Sequence, residues 1–521
     1  MGQSKEEVLK NWEAASEYCS DIYTDCEKDW EFLHGVGQWD ETDKKNREYD
    51  GRPSLVLNQL APYAKQVVND IKQAKMAIRV VPVDEQADID TADILQGIIR
   101  NIEKQSKAQT AYKTAANNAV GAGIGWIKIE TDYAHPTSFD QEIYIRRILD
   151  FTKVLPDPNA TELDGSDMGF LFYRRDYSED RFKELYPDAE PLSFEGEDGG
   201  DDGDICVVEY YYKYYKTDTI YQIRLADGIT RTVNQEQLDA LEEDGTIQFE
   251  KLQKRETEYP YVKMCVYSGA EDPLEETEIP SSFIPLVPVI GEEVYIDERR
   301  EFHSLIRQGK DAQKMYNYHK SEHVYMVALQ PKAPWIAPKG SFKSFPDHWA
   351  NANRDSFATL EYDIVMMDNG QRAEPPQRQM PPQGSAIVMQ EAMQAREDIR
   401  LSIGMPQANM GERSNEISGV AVRNRQIEGD NATYHFMDNL AASISQVGRI
   451  CLDMIPRLYS ARSIARIIGD DGKERNVPVN KPFVKDDDGM ERPANGREEY
   501  SGIYDLIVVD RDWETDRKSV V

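Results

Sequence analysis

The chain carries 61 lysines and arginines against 94 aspartates and glutamates in 521 residues, which gives a formal net charge of −33. Proteins that grip DNA neutralise phosphates with cations and are usually basic, so this charge argues against a sequence-reading DNA binder, while a conduit for sliding DNA or ordinary acidic solubility would fit it. The length allows two or three domains, and no run approaches the roughly 18 apolar residues of a membrane span. The polar start predicts no signal peptide, and five scattered cysteines predict reduced, buried thiols.

The N-terminal third predicts helices with strands between them. Apolar spacing indicates helices over 4–34, from Arg52-Pro53 to about 71, and over 86–119, and strands over 77–83, 126–130 and 143–148. Gly121, Gly123 and Gly125 are predicted to end the third helix and to lead into the strand that begins at Trp126. The last two strands are expected to pair.

The middle of the chain predicts a β-rich region. Residues 193–204 are acidic and Gly-rich, which is typical of an exposed loop. Val207–Tyr215 and Thr219–Leu225 are β-branched and aromatic runs, and we expect them to form two strands joined by a short turn at 216–218.

From residue 299 the pattern changes to helix, insert, helix. Arg299–Ala328 predicts a long helix, which Pro331 stops. Residues 331–382 are rich in prolines and aromatic residues and form the predicted insert. Within it, Leu360–Met366 alternates as a strand does.

A second helix is predicted from Ser385. Its apolar stripe, part of which we expect a symmetric partner to cover, consists of Val388, Ala392, Ala395, Ile399 and Ile403. Gly404 and Pro406 give an ordinary C-terminal stop signal, and a polar loop, 405–415, follows.

The segment after that loop predicts a long helix with an apolar stripe in its second half only. Its apolar residues, spaced by three and four, are Met437, Leu440, Ile444, Val447, Cys451, Met454 and Leu458. The beginning, around Arg423 and Arg425, has little apolar surface to bury. We therefore expect the helix to leave the packed core partway along.

The sequence contains no convincing motif for catalysis or for a metal. Gly121–Gly125 lies after a helix and before a strand, the reverse of the order in a nucleotide loop, and neither GxxxxGK[ST] nor GxSxG occurs. His319 and His323 have zinc-compatible spacing but lack a third ligand. The acidic residues Asp157, Glu162, Asp164 and Asp167 lack the glycine of an EF-hand and predict a turn-rich loop. We therefore predict no catalytic residue, no cofactor, no metal and no ATPase activity.

Six sequence segments carry a resemblance to one protein family. They are GWIKIETDY at 125–133, DFTKVLPDPNATELDGSD at 150–167, FIPLVPVIGEEVYID at 283–297, IRQGKDAQKMYNYHKS at 306–321, KAPWIAP at 332–338 and SNEISGVAVRNRQ at 414–426. In this order they resemble the podovirus-type portal proteins of tailed bacteriophages, from about residue 40 to about residue 509. None is a catalytic signature, so the agreement of many strings in order carries the resemblance.

The resemblance implies an α+β portal fold with a helical and β-rich wing region, a two-helix stem, a small α/β clip, a tunnel loop and a long wing helix. The implied parts are a wing region over 1–298, stem helices over 299–330 and 383–404, a clip over 331–382, a tunnel loop over 405–418, a wing helix over 419–462 and a β-rich return of the wing over 463–515. Portals of this type continue past the strand Tyr504–Val509 into a crown or barrel. Because residues 516–521 resemble a translated sequencing adapter, we expect the natural protein to be longer.

The implied function is a non-enzymatic dodecameric ring at one capsid vertex, through which double-stranded DNA passes without sequence specificity. Terminase, scaffold, major capsid protein and head-completion or tail adaptor proteins are the implied partners. The virion is the implied location, after assembly in the bacterial cytoplasm and without a membrane. The implied channel residues are Gln407, Asn409, Arg413, Asn415, Arg423 and Arg425, and the implied partner-binding residues of the clip are Trp335, Phe345, Trp349 and Tyr362.

Two other functions stay open at the level of the sequence. One is a Mg²⁺-dependent DNA-processing enzyme, which would need carboxylates converging in one pocket. The other is a different head–tail connector ring component, which is usually smaller. For Arg413, Arg423 and Arg425, ordinary ion pairs with neighbouring glutamates are the alternative to contacts with passing DNA.

Overall fold

A computed structural model describes the greater part of the chain. The described residues are 3–74, 76–82, 89–194, 204–225, 230–235, 238–239, 242, 249–297, 299–329, 334–367, 370–379, 385–405, 419–458, 463–468, 474–479, 483–485, 491–493 and 504–510. They fall into two compact units. Unit 1 is built from 1–29, 65–305 and 433–521, and unit 2 from 30–64 and 306–432.

Both helices and strands contribute to the fold, which is of the predicted α+β class. The helices are α1 (Lys5–Leu33), α2 (Glu41–Tyr49), α3 (Leu60–Gln73), α4 (Ile89–Ser106), α5 (Ala108–Ala122), α6 (Glu179–Leu185), α7 (Lys310–Leu329), α8 (Pro346–Ala350), α9 (Ser385–Ile403) and α10 (Gly419–Leu458).

The strands pair antiparallel throughout the described sheets. They are β1 (Met76–Pro82), β2 (Ile124–Tyr133), β3 (Gln141–Arg147), β4 (Val154–Pro156), β5 (Phe170–Tyr177), β6 (Ile205–Leu225), β7 (Thr230–Asn234), β8 (Phe249–Tyr267), β9 (Glu275–Ile279), β10 (Leu286–Ile290), β11 (Glu292–Ile296), β12 (Arg299–His303), β13 (Trp335–Ile336), β14 (Gln377–Arg378), β15 (Ser463–Ile468), β16 (Glu474–Val479), β17 (Phe483–Lys485), β18 (Glu491–Pro493) and β19 (Tyr504–Asp510). The larger sheets have the orders β10-β2-β3 and β4-β5-β6-β8-β9, with β7 added to β6, and β1 pairs with β19.

The turn from α5 into β2 confirms the predicted glycine stop. Gly123 has a φ of 104°, and its N–H donates to the carbonyls of Ala119 and Asn118, which is the usual way to end a helix. A Cβ on Gly125 would lie 2.2 Å from the carbonyl oxygen of Ala115. Only glycine therefore lets β2 lie this close to α5. The predicted pairing of β2 with β3 is also confirmed, with Ile129 opposite Ile145.

The second half of α10 is buried as its apolar stripe predicts. Leu440, Ile444, Val447, Cys451 and Met454 are each at most 2% exposed. Polar side chains of the same helix bond to the backbone of β10: Ser443 Oγ donates to Pro288 O at 2.7 Å, and Asn439 Nδ2 donates to Ile290 O at 3.1 Å. All five cysteines are buried and none forms a disulfide, as predicted.

A buried ion network joins the two larger sheets. Lys128 on β2 and Arg175 on β5 each contact a different carboxylate oxygen of Glu209 at 2.8 Å. The hydroxyl of Tyr211 donates to the same carboxylate at 2.7 Å. Buried charges are tolerated when they are paired and hydrogen-bonded in this way, and they specify which strands lie together.

The helix predicted from Arg299 begins only at Lys310. Arg299–His303 is instead β12, which pairs with β11 around a turn at Asp297, where φ is 49°. Phe302 is buried on this strand, and Arg300 forms an ion pair with Glu293 of β11. Alternation of a buried aromatic with paired charges favours the strand over the helix.

Two other helix predictions were wrong in their bounds. Residues 52–58 are extended, and α3 begins at Leu60, because Asn58 Oδ1 caps the helix by accepting from the N–H groups of Leu60 and Ala61 at 3.1 Å. The helix predicted over 86–119 is divided into α4 and α5 at Lys107, which has a φ of 53°.

The turn predicted at 216–218 does not exist. Residues 205–225 form one 21-residue strand, and residues 216–218 pair with 257–259 of β8. The segment lacks the Gly or Asn that a tight hairpin turn requires, so the two runs continue as one strand. The acidic stretch 193–204 lies mostly outside the described residues.

Candidate functional site

Two helices of unit 2, α7 and α9, pack side by side, and the predicted insert lies between them in the chain. The buried apolar side chains of the pair are Ala392, Ala395, Ile399 and Ile403 on α9, and Ala312 and Tyr316 on α7. Alanines at this spacing let two helices approach closely.

The apolar stripe of α9 is largely buried within the chain. We expected Val388, Ile399 and Ile403 to be partly exposed for a symmetric partner to cover. This is wrong for Ile399 and Ile403, which are 0% and 6% exposed, whereas Val388 is half-buried. Other apolar side chains of the pair are exposed by 43–72%: Met315, Tyr318, Val324, Val327 and Leu329 on α7, and Ile387, Met393 and Leu401 on α9. Exposed apolar side chains on both helices of a packed pair favour an interaction surface.

A ladder of polar side chains on α7 holds an extended segment, residues 53–59, which we call the strap. Gln313 Oε1, Asn317 Oδ1 and Ser321 Oγ accept from the N–H groups of Gln59, Leu57 and Leu55 at 2.8, 3.0 and 3.0 Å. The three side chains on α7 are 0% exposed. The bonded amides are two residues apart in the strap, and their acceptors are four residues apart on the helix.

The two periods match, since four helical residues rise about 6 Å and two extended residues about 6.6 Å. The helix positions that would continue the ladder are Gly309 and Tyr325, and neither supplies the same kind of acceptor. A shift of one turn would leave a strap amide without its partner, so the ladder fixes the axial position of α7. Sequence reasoning missed these residues, although their spacing of four was visible within 306–321.

An arginine clamp adds to this attachment. The guanidinium of Arg47 donates to Pro53 O at 2.9 Å and to Glu322 Oε1 at 2.7 Å. It also lies 4.9 Å from the ring centre of Trp39 and 5.3 Å from that of Tyr318. A desolvated arginine against two neighbouring aromatic rings combines an ion pair with cation–π attraction.

The insert contains a small aromatic cluster of its own. Trp335 and Trp349 meet edge to face at 5.2 Å, and Phe342, which the sequence analysis did not single out, stacks on Trp349 at 4.4 Å. The indole N–H of Trp349 donates to Glu361 O at 2.7 Å. Phe345 lies apart from this cluster and stacks on His348 at 6.2 Å. Two of the four predicted clip residues are thus brought together, half-buried, and help to hold the insert in shape.

Tyr362 lies on an exposed extended segment of the insert. The strand predicted over Leu360–Met366 is absent among the described residues, where only Met366 forms an isolated bridge, with Arg372. The alternation remains, but Tyr362, Ile364 and Met366 face solvent, while Asp363 N bonds to Ser341 O at 2.9 Å. The segment is fixed by a loop instead of by a sheet.

Four of the proposed channel residues lie outside the described part of the chain: Gln407, Asn409, Arg413 and Asn415. Arg423 and Arg425 lie in α10, where the structure describes their backbone but not their side chains. The predicted helix stop before them is confirmed, since α9 ends at Ile403 and Gly404 has a φ of 71°.

The acidic loop 157–169 satisfies its carboxylates internally. Asp167 Oδ2 accepts from the N–H groups of Thr161 and Glu162 at 2.6 and 3.1 Å, and Asp157 Oδ2 accepts from Gly169 N at 3.0 Å. Burial raises the pKa of Asp167, but these hydrogen bonds outweigh it and the net pKa lies below the ordinary value.

Cations from three elements attach this loop to unit 1. Lys213 Nζ donates to Ser166 O at 2.8 Å, and Arg300 donates to Ala160 O at 2.9 Å. Arg449 of α10 lies 3.7 Å from Asp164. The loop therefore serves as a structural junction that internal cations hold.

His319 and His323 are half-buried on α7, and His319 meets the ring of Tyr318 edge to face at 5.9 Å. Within the described residues, no group of three or more His, Cys, Asp or Glu side chains has an arrangement that could hold a metal ion. None of the described helices has the length and apolarity needed to cross a membrane.

The chain is similar to known proteins over most of its length. The family described as Phage P22-like portal protein matches residues 9–520, so the chain belongs to this family. A curated relative named Portal protein, from Acyrthosiphon pisum secondary endosymbiont phage 1, is 24% identical over 495 residues, which are 91% of this chain and 68% of that protein.

Membership defines the role of the chain in general terms. Portal proteins are structural channel proteins of the phage virion and not enzymes, and the passage of DNA during packaging is their general role. The resemblance stated from the sequence is confirmed at the level of the family.

Proposed function

We propose that the chain forms a dodecameric ring at one capsid vertex, with α7 and α9 as its stem, the insert as its clip and the first half of α10 behind a tunnel loop, 405–418. Terminase, and later head-completion or tail adaptor proteins, would dock on the clip. Scaffold and major capsid protein would surround the ring during assembly in the host cytoplasm.

One observation carries this proposal: the helix pair of unit 2 is packed internally and still exposes apolar side chains on both helices. Ile387, Met393 and Leu401 of α9 are 65%, 59% and 72% exposed. A symmetric neighbour is the natural cover for such side chains in a family of ring-forming proteins. The partner segments of a ring would bury these residues without disturbing the internal contact.

Electron microscopy of the purified protein tests the ring directly. We expect particles with a central hole, and we expect Leu401→Glu to reduce their number. Leu185→Glu is the matched control, because Leu185 is 41% exposed on α6 of unit 1, away from the helix pair in the chain. Monomers alone at high concentration, or equal effects of the two variants, would contradict the stem assignment.

The tunnel assignment concerns Gln407, Asn409, Arg413, Asn415, Arg423 and Arg425. At the narrowest part of a channel a strong cationic grip would stall DNA, whereas mobile polar side chains would let it slide. Each phosphate contact changes the salt dependence of binding by only about one unit of slope.

We therefore expect Arg413→Glu, or a shortened loop, to leave rings intact and to impair DNA packaging or the retention of packaged DNA. An in vitro packaging assay measures both, and Lys314→Glu on α7 is a control with the same charge change. Variants that assemble, package and retain DNA normally would identify the loop as a linker.

A further inference from the structure

The strands β6 and β8 continue together beyond the sheet that contains them. β5 pairs with β6 only as far as Tyr212, and β9 pairs with β8 only from Val262 onward. Among the described strands, none pairs with the outer edge of 214–219 or of 255–261. The two strands therefore form a two-stranded stretch of roughly 20 Å, residues 214–220 with 255–261, which we call the ribbon.

Side chains on both faces of the ribbon are exposed. Tyr215 is 63% exposed on one face, and Tyr259 is 42% exposed on the other. A two-stranded ribbon is marginally stable by itself, and packing against a further layer of structure stabilises it. The ribbon is therefore a surface that a second layer would complete.

The two faces of the ribbon differ in charge. Directly opposite residues of paired strands share a face, and successive residues alternate between the faces. One face carries Lys216 and Arg255, with Asp218 at a register position between them, and its net charge is +1. The opposite face carries Glu256 and Glu258, and its net charge is −2. We call them the basic face and the acidic face.

Most of these charges have no partner within the chain that would neutralise them. Arg255, Glu256 and Glu258 are exposed and form no ion pair with another residue whose side chain the structure describes. Lys216 lies 3.8 Å from Glu278 in an exposed contact, which contributes little. Because the two faces of one ribbon have opposite charges, each face is complementary to the other face of a second copy.

We propose that the basic face of one ribbon packs on the acidic face of the ribbon in the next copy. This inference rests on the proposed ring, to which it adds a contact in unit 1. The two faces are different surfaces of one chain, so the contact is head-to-tail, the type that forms a ring when the rotation closes. Tyr259 of one copy and Tyr215 of the next supply apolar area between the layers.

The contact opposes the repulsion between copies of an acidic chain. With a net charge of −33, two copies repel each other at most points of their surfaces. A local match of opposite charges offsets this repulsion and determines which face meets which. One face of the ribbon covers only roughly 200 Å², against about 800 Å² per partner in a standard interface. The ribbon therefore adjusts the strength of assembly and does not drive it alone.

Charge reversal tests the contact. Arg255→Glu makes both faces negative, and the pair Glu256→Lys and Glu258→Lys makes both faces positive. Each of these two variants should need a roughly tenfold higher protein concentration for half-assembly at low salt, measured by sedimentation, and the difference should shrink as salt screens the charges. Lys113→Glu, an exposed change on α5 of unit 1, is the control with the same charge change as Arg255→Glu.

A mixture of the two variants separates the contact from a folding defect. In a ring that alternates between them, every junction again joins faces of opposite charge. A single chain that carries all three substitutions restores the match as well. Both the mixture and the triple variant should assemble at the concentration that the unmodified protein requires, although each component fails alone.

Cross-linking tests which faces meet. Thr217→Cys lies on the acidic face and Tyr259→Cys on the basic face, and the five native cysteines are buried, so they give a low background. With a bismaleimide that spans the ~10 Å between packed sheets, we expect dimers from the mixture of these variants and few from either alone. Leu185→Cys replaces Tyr259→Cys in the control.

The outcomes separate this inference from the proposed function. Recovery in the mixture, together with the link between positions 217 and 259, supports the contact. Unmodified rings that no charge variant weakens, or weakening that the mixture does not reverse, overturn the ribbon contact and leave the portal ring standing. No assembly of the unmodified chain at any concentration overturns the ring and this contact together.

Discussion

Replacing Asn317 with alanine is predicted to release the strap from α7. Asn317 is fully buried and takes part in three hydrogen bonds. Its Oδ1 accepts from Leu57 N at 3.0 Å and from Gln313 Nε2 at 3.0 Å, and its Nδ2 donates to Gln38 Oε1 at 2.8 Å. The variant removes the partner of the backbone N–H of Leu57 and of the side-chain oxygen, Oε1, of Gln38.

The magnitude follows from the burial of the groups that lose a partner. A buried polar group without its hydrogen bond costs about 1–3 kcal/mol. Gln38 is 1% exposed and bears this cost, whereas Leu57 is 40% exposed, so water replaces part of what its amide loses. A total near 2 kcal/mol corresponds to a roughly 30-fold larger population of the opened strap.

Hydrogen exchange measured by mass spectrometry on peptides that cover 53–59 reports this opening. We expect exchange there to accelerate by roughly 30-fold in Asn317→Ala, with little change in unit 1. Lys314→Ala, an exposed change on the same helix, is the matched control. Exchange that stays within about threefold of the unmodified protein, or an equal change in the control, would refute the ladder as the attachment of the strap.

Three further outcomes are expected. Gly123→Ala should lower the melting temperature far more than Gly37→Ala, because both glycines have positive φ but only a Cβ at 123 would lie 2.7 Å from a backbone oxygen; equal shifts would contradict the close contact. Glu209→Gln should cost roughly 3–5 kcal/mol in chemical denaturation, while the exposed Glu179→Gln should change nothing measurable; superimposable curves would disprove the role of the buried network. Because folding lowers the pKa of Asp167, the ionised carboxylate stabilises the fold at pH values above its ordinary pKa. This stabilisation is lost as the pH falls below about 4 through the pKa of the folded state. Pepsin should therefore cleave 157–169 faster at that low pH, and Asp167→Asn should remove this pH dependence.

The elements that the sequence predicted well have signals that are local. The stripe from Leu440 to Met454 repeats over several turns, and no other structure would bury it. The stop at Gly123 and the pairing of β2 with β3 likewise follow from neighbouring residues. A repeated apolar stripe and a glycine with positive φ each specify the local structure through neighbouring residues, so distant partners do not change that structure.

The elements that were mispredicted depend on partners far along the chain. Leu57 looked like part of a helix face, but its amide and that of Leu55 bond to α7 about 260 residues later. The single strand β6 requires the pairing of 216–218 with β8, which no local pattern reveals. For the candidate site, Trp335 and Trp349 were found as aromatic residues, but their role in holding the insert together depends on Phe342. The channel assignments of Arg413, Arg423 and Arg425 stay predictions.

The pairing of β1 with β19 has a consequence for the synthesis of the subunit. Ala77 pairs with Val509, about 430 residues later in the chain. At translation rates of about 5–20 residues per second, β1 waits roughly 20–90 s before its partner leaves the ribosome. Through that time Ile78 and Val80, both buried in the finished fold, lack part of their cover, and an open strand edge invites aggregation. The yield of ring-competent subunits should therefore depend on the chaperone capacity of the host cell during this interval.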